Sequence, residues 1–524
     1  MNLRRARFRI SHAAFSVALP ALIFAACNAP NIDRLARWFG GPDRLDYVAL
    51  SAYLLAGLCL FIAFFTVLAH RWSIKPAAIV LAVASALAAY FIAKYDIAFD
   101  SSMMRNVAHT DATEVRQLLS SQMLPWLAVL AGLPIVAVLC TDITFRPAGR
   151  YLLASAAVFA GAVTIALVSV YLNYHPIHRA GNISRKYIVH SLVPVNFLVG
   201  GISAVYGWVR PLIDYRPADT AIAGHVESPG HLVVVLAIGE SSRRRNFSLY
   251  GYRRQETNPV LRTIDGLHLL HGIADRGSTL NALPKILEKK GVKLPALVAK
   301  FGIPTACYVN YSLYDNCEPI GEIAAGPCGH GGKCYDEDVI PLLAANIVDY
   351  ESGQRFIVLH LGGGSHGPLY QDRHPPEFRR LQPACNDADV VNQCTLQELH
   401  NAYDNTIVYL DHVLGRMLYT LERSGAPYVF IYLSDHGESL MEGGRLFHGM
   451  PPGIPLPPEQ AEIPLIVKSS VPISIVERAV YRQQDVFDTV VDLFGIRTVA
   501  FDRAGSFIKL RSGPGTAGGT DGVD

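Results

Sequence analysis

No basic stripe interleaved with aromatic residues occurs anywhere in the 524 residues, and 46 Lys and Arg against 44 Asp and Glu leave a net charge of only +2. Composition therefore gives no reason to expect a nucleic-acid partner. Charge of either sign is scarce, at 17% of residues, while 51% are hydrophobic. That balance excludes an ordinary soluble protein, and the length excludes a single domain. No Cys-x-x-Cys occurs among the nine cysteines, which speaks against a cysteine-bound zinc cluster.

The apolar residues are not spread evenly. Long apolar runs dominate up to about residue 173, and the remainder reads as a soluble α/β protein. Five runs, at 10–28, 47–69, 77–95, 123–141 and 151–173, approach or exceed the roughly 20 residues that a membrane-crossing helix needs. The first follows Arg4, Arg5, Arg7 and Arg9. Pro20 interrupts it and four more runs follow, so it reads as a span rather than a cleaved signal peptide. The short connections at 70–75 and 146–150 are basic and belong on the cytoplasmic side. Five crossings from an inside N-terminus then leave the large C-terminal part outside. Arg34, Arg37 and Arg44 in the first loop argue the other way, and the acidic residues beside them do not cancel that bias.

Cysteine usage gives an independent indication. Cys27, Cys59 and Cys140 fall in the apolar runs, whereas Cys307, Cys317, Cys328, Cys334, Cys385 and Cys394 all fall in the soluble part. Close spacing suggests local disulfides 307–317, 328–334 and 385–394, in an oxidising compartment. The chain thus divides into a membrane domain at 1–173, an amphipathic bridging segment at 174–230 lying along the membrane surface, a soluble domain at 231–511 and a disordered Gly-, Ser- and Thr-rich tail at 512–524.

The soluble domain opens with an unbroken apolar strand from 231 that ends in Gly239-Glu240-Ser241. A second strand at 355–361 runs into Ser365-His366-Gly367, a third delivers Asp435-His436, and a fourth lies at 463–468. A helical stretch at 397–424 separates two of them, so a mostly parallel sheet sandwiched by helices is expected. Such sheets gather chemistry at the C-terminal ends of their strands. Glu240, His366, Asp435 and His436, with His448 in Phe447-His448-Gly449, are therefore candidate ligands for a cation such as zinc. A nucleophile is expected in Asp275-Arg276-Gly277-Ser278-Thr279, where a helix opens; spacing alone does not choose between Ser278 and Thr279, and either serves equally as a helix cap.

In this order, Ile238-Gly239-Glu240-Ser241, Phe247 to Tyr252, Glu256-Thr257-Asn258-Pro259, Cys334-Tyr335-Asp336-Glu337, Ser365-His366-Gly367-Pro368, Tyr403-Asp404-Asn405-Thr406 and Ser434-Asp435-His436-Gly437-Glu438-Ser439 form a specific series. By these motifs the chain resembles the membrane-anchored phosphoethanolamine transferases of Gram-negative bacteria, members of the alkaline phosphatase and sulfatase superfamily. The resemblance implies a five-helix transmembrane domain and an α/β catalytic domain of that superfamily's type, on the periplasmic side of the inner membrane. It implies that Glu240, Thr279, Asp435 and His436 surround a catalytic zinc. Thr279 would be the nucleophile, because it stands five residues before Pro284. His366 and His448 would bind the donor phosphate or a second zinc. Met103-Met104-Arg105-Asn106-Val107 with Thr110, Asp111 and Glu114 resembles the family's periplasmic loop that helps bind the lipid donor, so Asn106, Thr110 and Glu114 are expected there, with Glu114 as partner for the ethanolamine ammonium.

The activity implied is ping-pong transfer of phosphoethanolamine from phosphatidylethanolamine, through the threonine, to a lipopolysaccharide acceptor such as a lipid A phosphate or a core sugar. Such an enzyme works as a monomer, needs no nucleic acid, and confers polymyxin resistance. Two departures stand out. Where the family places cysteines around the nucleophile, this chain has Arg276-Gly277-Ser278 and Lys285-Ile286; and the segment before Cys317 lacks a second nearby cysteine, leaving Cys307 as its partner. The run Arg243-Arg244-Arg245 reads either as a solvated basic turn or as a surface for acidic headgroups. A phosphatidylglycerol-using glycerol-phosphate transferase and a sulfatase-like phosphoesterase are the alternative activities. The three cysteine pairs disfavour the first, and the apolar runs and the absence of a sulfatase nucleophile motif disfavour the second.

Overall fold

The computed structural model describes residues 8–40, 45–109, 120–184, 187–213, 223–227, 230–309, 317, 323–324, 335–348, 350–362, 364–450 and 454–511. Two compact units are present: Met1–Asp214 with Pro451–Ile454, and Tyr215–Met450 with Pro455–Asp524.

Among the described residues of the first unit, four helices are long and apolar enough to cross a membrane: His12–Trp38, Tyr47–Leu68, Ile74–Tyr95 and Ala148–Leu172. The run expected to span at 123–141 differs. It forms two short helices, Met123–Leu130 and Gly132–Leu139, which meet at Ala131. Proline explains the break. Pro134 has no N–H to donate to the Leu130 carbonyl, and its ring crowds that oxygen. At about 1.5 Å per residue, a 17-residue stretch reaches roughly 25 Å and falls short of a 30 Å hydrocarbon core. The bridging segment contains the helices Tyr174–Ile183 and Val195–Ile213. Of the expected donor loop, Asn106 lies half-buried on the helix Ser101–His109, while Thr110 and Glu114 fall outside the described residues.

The second unit is built on an eight-stranded sheet. Its strands in chain order are β1 (Leu232–Gly239), β2 (His268–Ile273), β3 (Thr305–Val309), β4 (Ile323–Ala324), β5 (Gln354–Leu361), β6 (Tyr428–Ser434), β7 (Glu462–Ser469) and β8 (Tyr481–Arg482). They lie side by side as β8-β2-β7-β6-β1-β5-β3-β4, and all but β7 run the same way. Every residue of β1 and β6 is buried, as expected of central strands covered on both faces. Alternate residues, Val234, Leu236 and Ile238 of β1 and Ile431 and Leu433 of β6, join one core with Leu283 and Ile286 of the helix Thr279–Leu287 and Phe487 and Val490 of the helix Asp485–Leu493. That core anchors the helix that starts at Thr279 beside the strands that end at Glu240 and Asp435.

The long helix Leu396–Ser424 begins at a capping box. Thr395 Oγ1 accepts from the Glu398 N–H, and the Glu398 carboxylate accepts from the Thr395 N–H at 2.7 Å. It ends at Gly425, whose φ of 68° suits glycine. Two of the expected disulfides are formed, Cys307–Cys317 and Cys385–Cys394. The pair 328–334 and the tail beyond 511 lie outside the described residues.

Candidate active site

The ladder between β1 and β6 brings the first two candidate ligands together. Gly239 sits opposite Ser434, and the Asp435 N–H donates to the Gly239 carbonyl at 2.9 Å. Glu240 and Asp435 thus leave neighbouring strand ends side by side. The β5 end closes from the other flank, where the Ser365 N–H donates to the Glu240 carbonyl at 2.9 Å. This approach needs glycine: a Cβ on Gly364 would stand 2.4 Å from that same Glu240 carbonyl.

Glu240, Asp435 and His436 are buried, and one potential ligand atom from each lies within 4.8 Å of the others. His436 Nδ1 faces the Gly437 carbonyl at 3.0 Å. Donation there fixes the tautomer and leaves Nε2 with its lone pair toward the carboxylates, as a metal-binding histidine requires. Asp435 Oδ2 is fully buried without a hydrogen-bond partner, which is costly unless something positive meets it. The donor set, two carboxylates and an imidazole, suits zinc. The residues present therefore fit the metal the sequence suggested.

Thr279 completes the group. It is the first residue of the helix Thr279–Leu287, and its Oγ1 donates to Glu240 Oε2 at 2.7 Å and lies 3.5 Å from His436 Nε2. Ser278 occupies the preceding extended position, and its Oγ instead accepts from Asn281 Nδ2 at 2.8 Å. Geometry thus separates two hydroxyls that spacing left equivalent.

His366 and His448 are brought to the same place. Their rings lie 4.8 Å apart, and His448 stands 4.3 Å from His436, centroid to centroid. Their charge states diverge. Burial opposes the His448 cation, but Glu438 Oε2, 2.9 Å from Nδ1, outweighs it and raises His448 to about 9. Burial first, then the neighbouring His448 and Arg373, holds His366 well below its ordinary value. One imidazole is kept charged beside one kept neutral.

Several site residues were not singled out from sequence. Glu438, two positions past His436, is buried and accepts from Tyr370 OH at 2.8 Å and the Gly367 N–H at 3.1 Å while holding His448. Its place within the Asp435-His436 motif was the available signal. Ser241 donates its hydroxyl to Glu240 Oε1 at 2.5 Å, and its N–H donates to Asp435 Oδ1 at 3.0 Å. It does so with a φ of 55°, unusual for a residue with a side chain. Of the basic run, Arg243 and Arg244 are drawn into the packing around the site, while the Arg245 side chain stays 40% exposed. Arg243 is buried, with Nη2 2.6 Å from Glu442 Oε1 and Nη1 donating to the Glu438 carbonyl, and Arg244 pairs with Glu462 at 3.0 Å. The Arg243 guanidinium ties the Asp435–Glu442 loop to the end of β1, the Arg244 guanidinium ties in Glu462 at the start of β7, and these acids account for their charge.

Comparison with known proteins gives a consistent picture. Residues 57–208 match the family model described as phosphoethanolamine transferase EptA/EptB, and residues 263–496 match that described as sulfatase. A phosphoethanolamine transferase EptA of Helicobacter pylori is 30% identical over 484 residues, covering 86% of this chain and 88% of the relative. The phosphatidylethanolamine transferase Mcr-1 of Escherichia coli is 25% identical, covering 87% of this chain and 90% of the relative. In fold, the chain is similar to the integral membrane lipooligosaccharide phosphoethanolamine transferase A of Neisseria meningitidis, with a TM-score of 0.80 at 24% identity over 95% of this chain and 98% of the other.

Proposed function

The chain belongs to the phosphoethanolamine transferase family, and from that membership we propose that it takes phosphoethanolamine from phosphatidylethanolamine and passes it to lipid A through a covalent adduct on Thr279. The observation that carries the reading is the 2.7 Å hydrogen bond from Thr279 Oγ1 to Glu240 Oε2, at the edge of a buried Glu240, Asp435 and His436 set. Glu240, Asp435, His436 and Thr279 would hold a zinc ion. When bound, such an ion lowers the pKa of an oxygen ligand and offsets phosphoryl charge.

The chain's own groups supply the rest. Glu240 Oε2 is the acceptor for the Thr279 proton as Oγ1 attacks phosphorus. A bond from Oγ1 to phosphorus forms while the bond from phosphorus to the glycerol oxygen breaks. His448, kept charged by Glu438, gives a proton to that leaving oxygen, so diacylglycerol departs neutral. In the second half, a lipid A phosphate hydroxyl passes its proton to the now neutral His448 as its oxygen attacks the adduct, so that His448 regains its charge, and Thr279 leaves and recovers its proton from Glu240. The N-terminal amides of the helix Thr279–Leu287 face the developing anion and favour its charge. The disulfides Cys307–Cys317 and Cys385–Cys394 favour an oxidising compartment and so a periplasmic second unit.

The test is intact-mass analysis of the full chain incubated with phosphatidylethanolamine. A phosphoethanolamine increment on wild type, absent in Thr279→Ala and retained in Ser278→Ala, is expected. An increment that survives Thr279→Ala refutes the reading, and a glycerol-phosphate adduct formed only from phosphatidylglycerol replaces it with the alternative transferase.

A further inference from the structure

The turn that carries Thr279 has no covalent brace: the nearest cysteine in sequence is Cys307. What holds it is a side chain from a different element. Gln483 is 1% exposed and lies just before the helix Asp485–Leu493, whose Val486, Phe487 and Val490 are fully buried. Its carboxamide has one end on each half of the site. On one side, Gln483 Oε1 accepts from the Asp275 N–H at 3.3 Å, at the start of the nucleophile turn. On the other, Gln483 Nε2 donates to the Asp435 carbonyl and lies 3.4 Å from the Ser434 carbonyl, at the end of β6.

The surroundings leave the turn little other freedom. A Cβ on Gly277 would stand 2.8 Å from Leu456 and 3.1 Å from Gln460 Oε1, so the chain is pressed against 456–460. Arg482 also reaches the turn, 2.7 Å from Asp275 Oδ1, but its side chain is 51% exposed and the pair contributes little in water. The buried amide bond is worth more, because losing it leaves a main-chain N–H and a carbonyl without their partner. An uncharged carboxamide also spans the two arms without altering the charge that the carboxylates present.

We propose that Gln483 is a positioning residue: it spans the Asp275 main chain and the Asp435 main chain and thereby sets how far Thr279 Oγ1 stands from Asp435 and His436. The inference rests on the reading of Thr279 as nucleophile. It places the non-covalent link at a residue outside every motif of the site.

The test uses the full chain in detergent and three readouts: amide hydrogen exchange over 275–279, zinc affinity by chelator competition, and transfer kinetics with phosphatidylethanolamine and lipid A. Gln483→Met keeps the volume and deletes both bonds. Gln483→Glu keeps an acceptor for Asp275 but, as a carboxylate, cannot donate to the strand; it stands in if the methionine variant fails to fold. Exchange over the turn is expected to accelerate, and kcat to fall by roughly 10–100-fold, the scale of an ångström-sized misplacement, with KM unchanged and zinc affinity, still supported by Glu240, Asp435 and His436, falling far less than kcat. Unaltered kcat overturns the proposal. So does zinc affinity lost in step with kcat, which would mean that Gln483 acts by shaping the metal ligands instead. A wild-type chain that transfers nothing would strike the transfer reading, and the exchange comparison would still decide the brace: unchanged exchange at the turn overturns it.

Discussion

Ser241 offers a perturbation in which stability and metal binding part company. Its hydroxyl donates to Glu240 Oε1 at 2.5 Å, and its N–H donates to Asp435 Oδ1 at 3.0 Å, so one residue orients two candidate zinc ligands. Its φ of 55° costs a residue with a Cβ about 1–2 kcal/mol, which glycine escapes. Against that, glycine loses roughly 0.5–1 kcal/mol of extra chain entropy on folding. Ser241→Ala keeps the strain and deletes the hydroxyl. Ser241→Gly relieves the strain and deletes the same hydroxyl, so it should be about 1 kcal/mol more stable than the alanine variant. Both keep the N–H to Asp435, and both leave Glu240 Oε1 without its donor. Loss of such an outer partner typically costs a metal site about 10–100-fold in affinity, or about 1.4–2.7 kcal/mol. Metal-free thermal unfolding measures the first quantity and competition with a zinc chelator the second. The expected pattern is an ordering of glycine above alanine in stability with equal losses in zinc affinity. Zinc affinity that follows stability across the two variants, or that matches wild type in both, refutes the reasoning.

Two further outcomes are expected. Replacing both Cys385 and Cys394 by Ser opens a loop of sequence separation 9 and should cost the second unit about 2.5 kcal/mol of unfolding free energy, read from denaturation midpoints, with zinc affinity unchanged; an unchanged midpoint refutes it. His400 is held down to about 4 by burial, then by Arg243 and Arg254, so the folded state prefers its neutral form. Its contribution is fully present above the unfolded value near 6.5 and is lost as pH falls from there toward 4. Wild type should therefore lose stability relative to His400→Gln across that window and track it outside; a gap that stays constant with pH, or that opens in the other direction, would count against this.

The grouping of the candidate metal ligands was legible because they hang on strand ends. An unbroken apolar run is visible in one sequence, and the residue after it is fixed by the ladder, so Glu240, Asp435 and His436 followed from β1 and β6 directly. The choice of Thr279 over Ser278 was not legible from spacing. Both open the helix, and only the side-chain directions, one toward Glu240 and one toward Asn281, distinguish them. The roles of Arg243, Ser241 and Gln483 were hidden for a different reason. Their roles come from contacts across 160 to 208 residues of chain, which leave no local periodicity. In the membrane unit, hydropathy counted apolar residues but not the backbone bond that Pro134 removes, so a run that reads as one span is two short helices.

That division of legibility reflects a division of labour. Glu240 and Asp435 need no help from side chains to be adjacent, since the main-chain ladder of a fully buried sheet sets their spacing. Thr279, the proposed nucleophile, has no such guarantee: it starts a helix after a turn, and a turn's geometry depends on what packs against it. Phosphoryl transfer tolerates error in the two halves unequally. A metal ligand displaced by a few tenths of an ångström can be met by a mobile ion, whereas an attacking oxygen must lie in line with the bond that breaks. The demand for rigidity is therefore greatest where the main chain supplies least. A buried carboxamide reaching from 483 to both 275 and 435 meets that demand by tying the less constrained arm to the more constrained one. By this logic, substitutions that loosen the turn should depress kcat while zinc stays bound, and substitutions at Ser241 should release zinc while the turn keeps its protection from exchange.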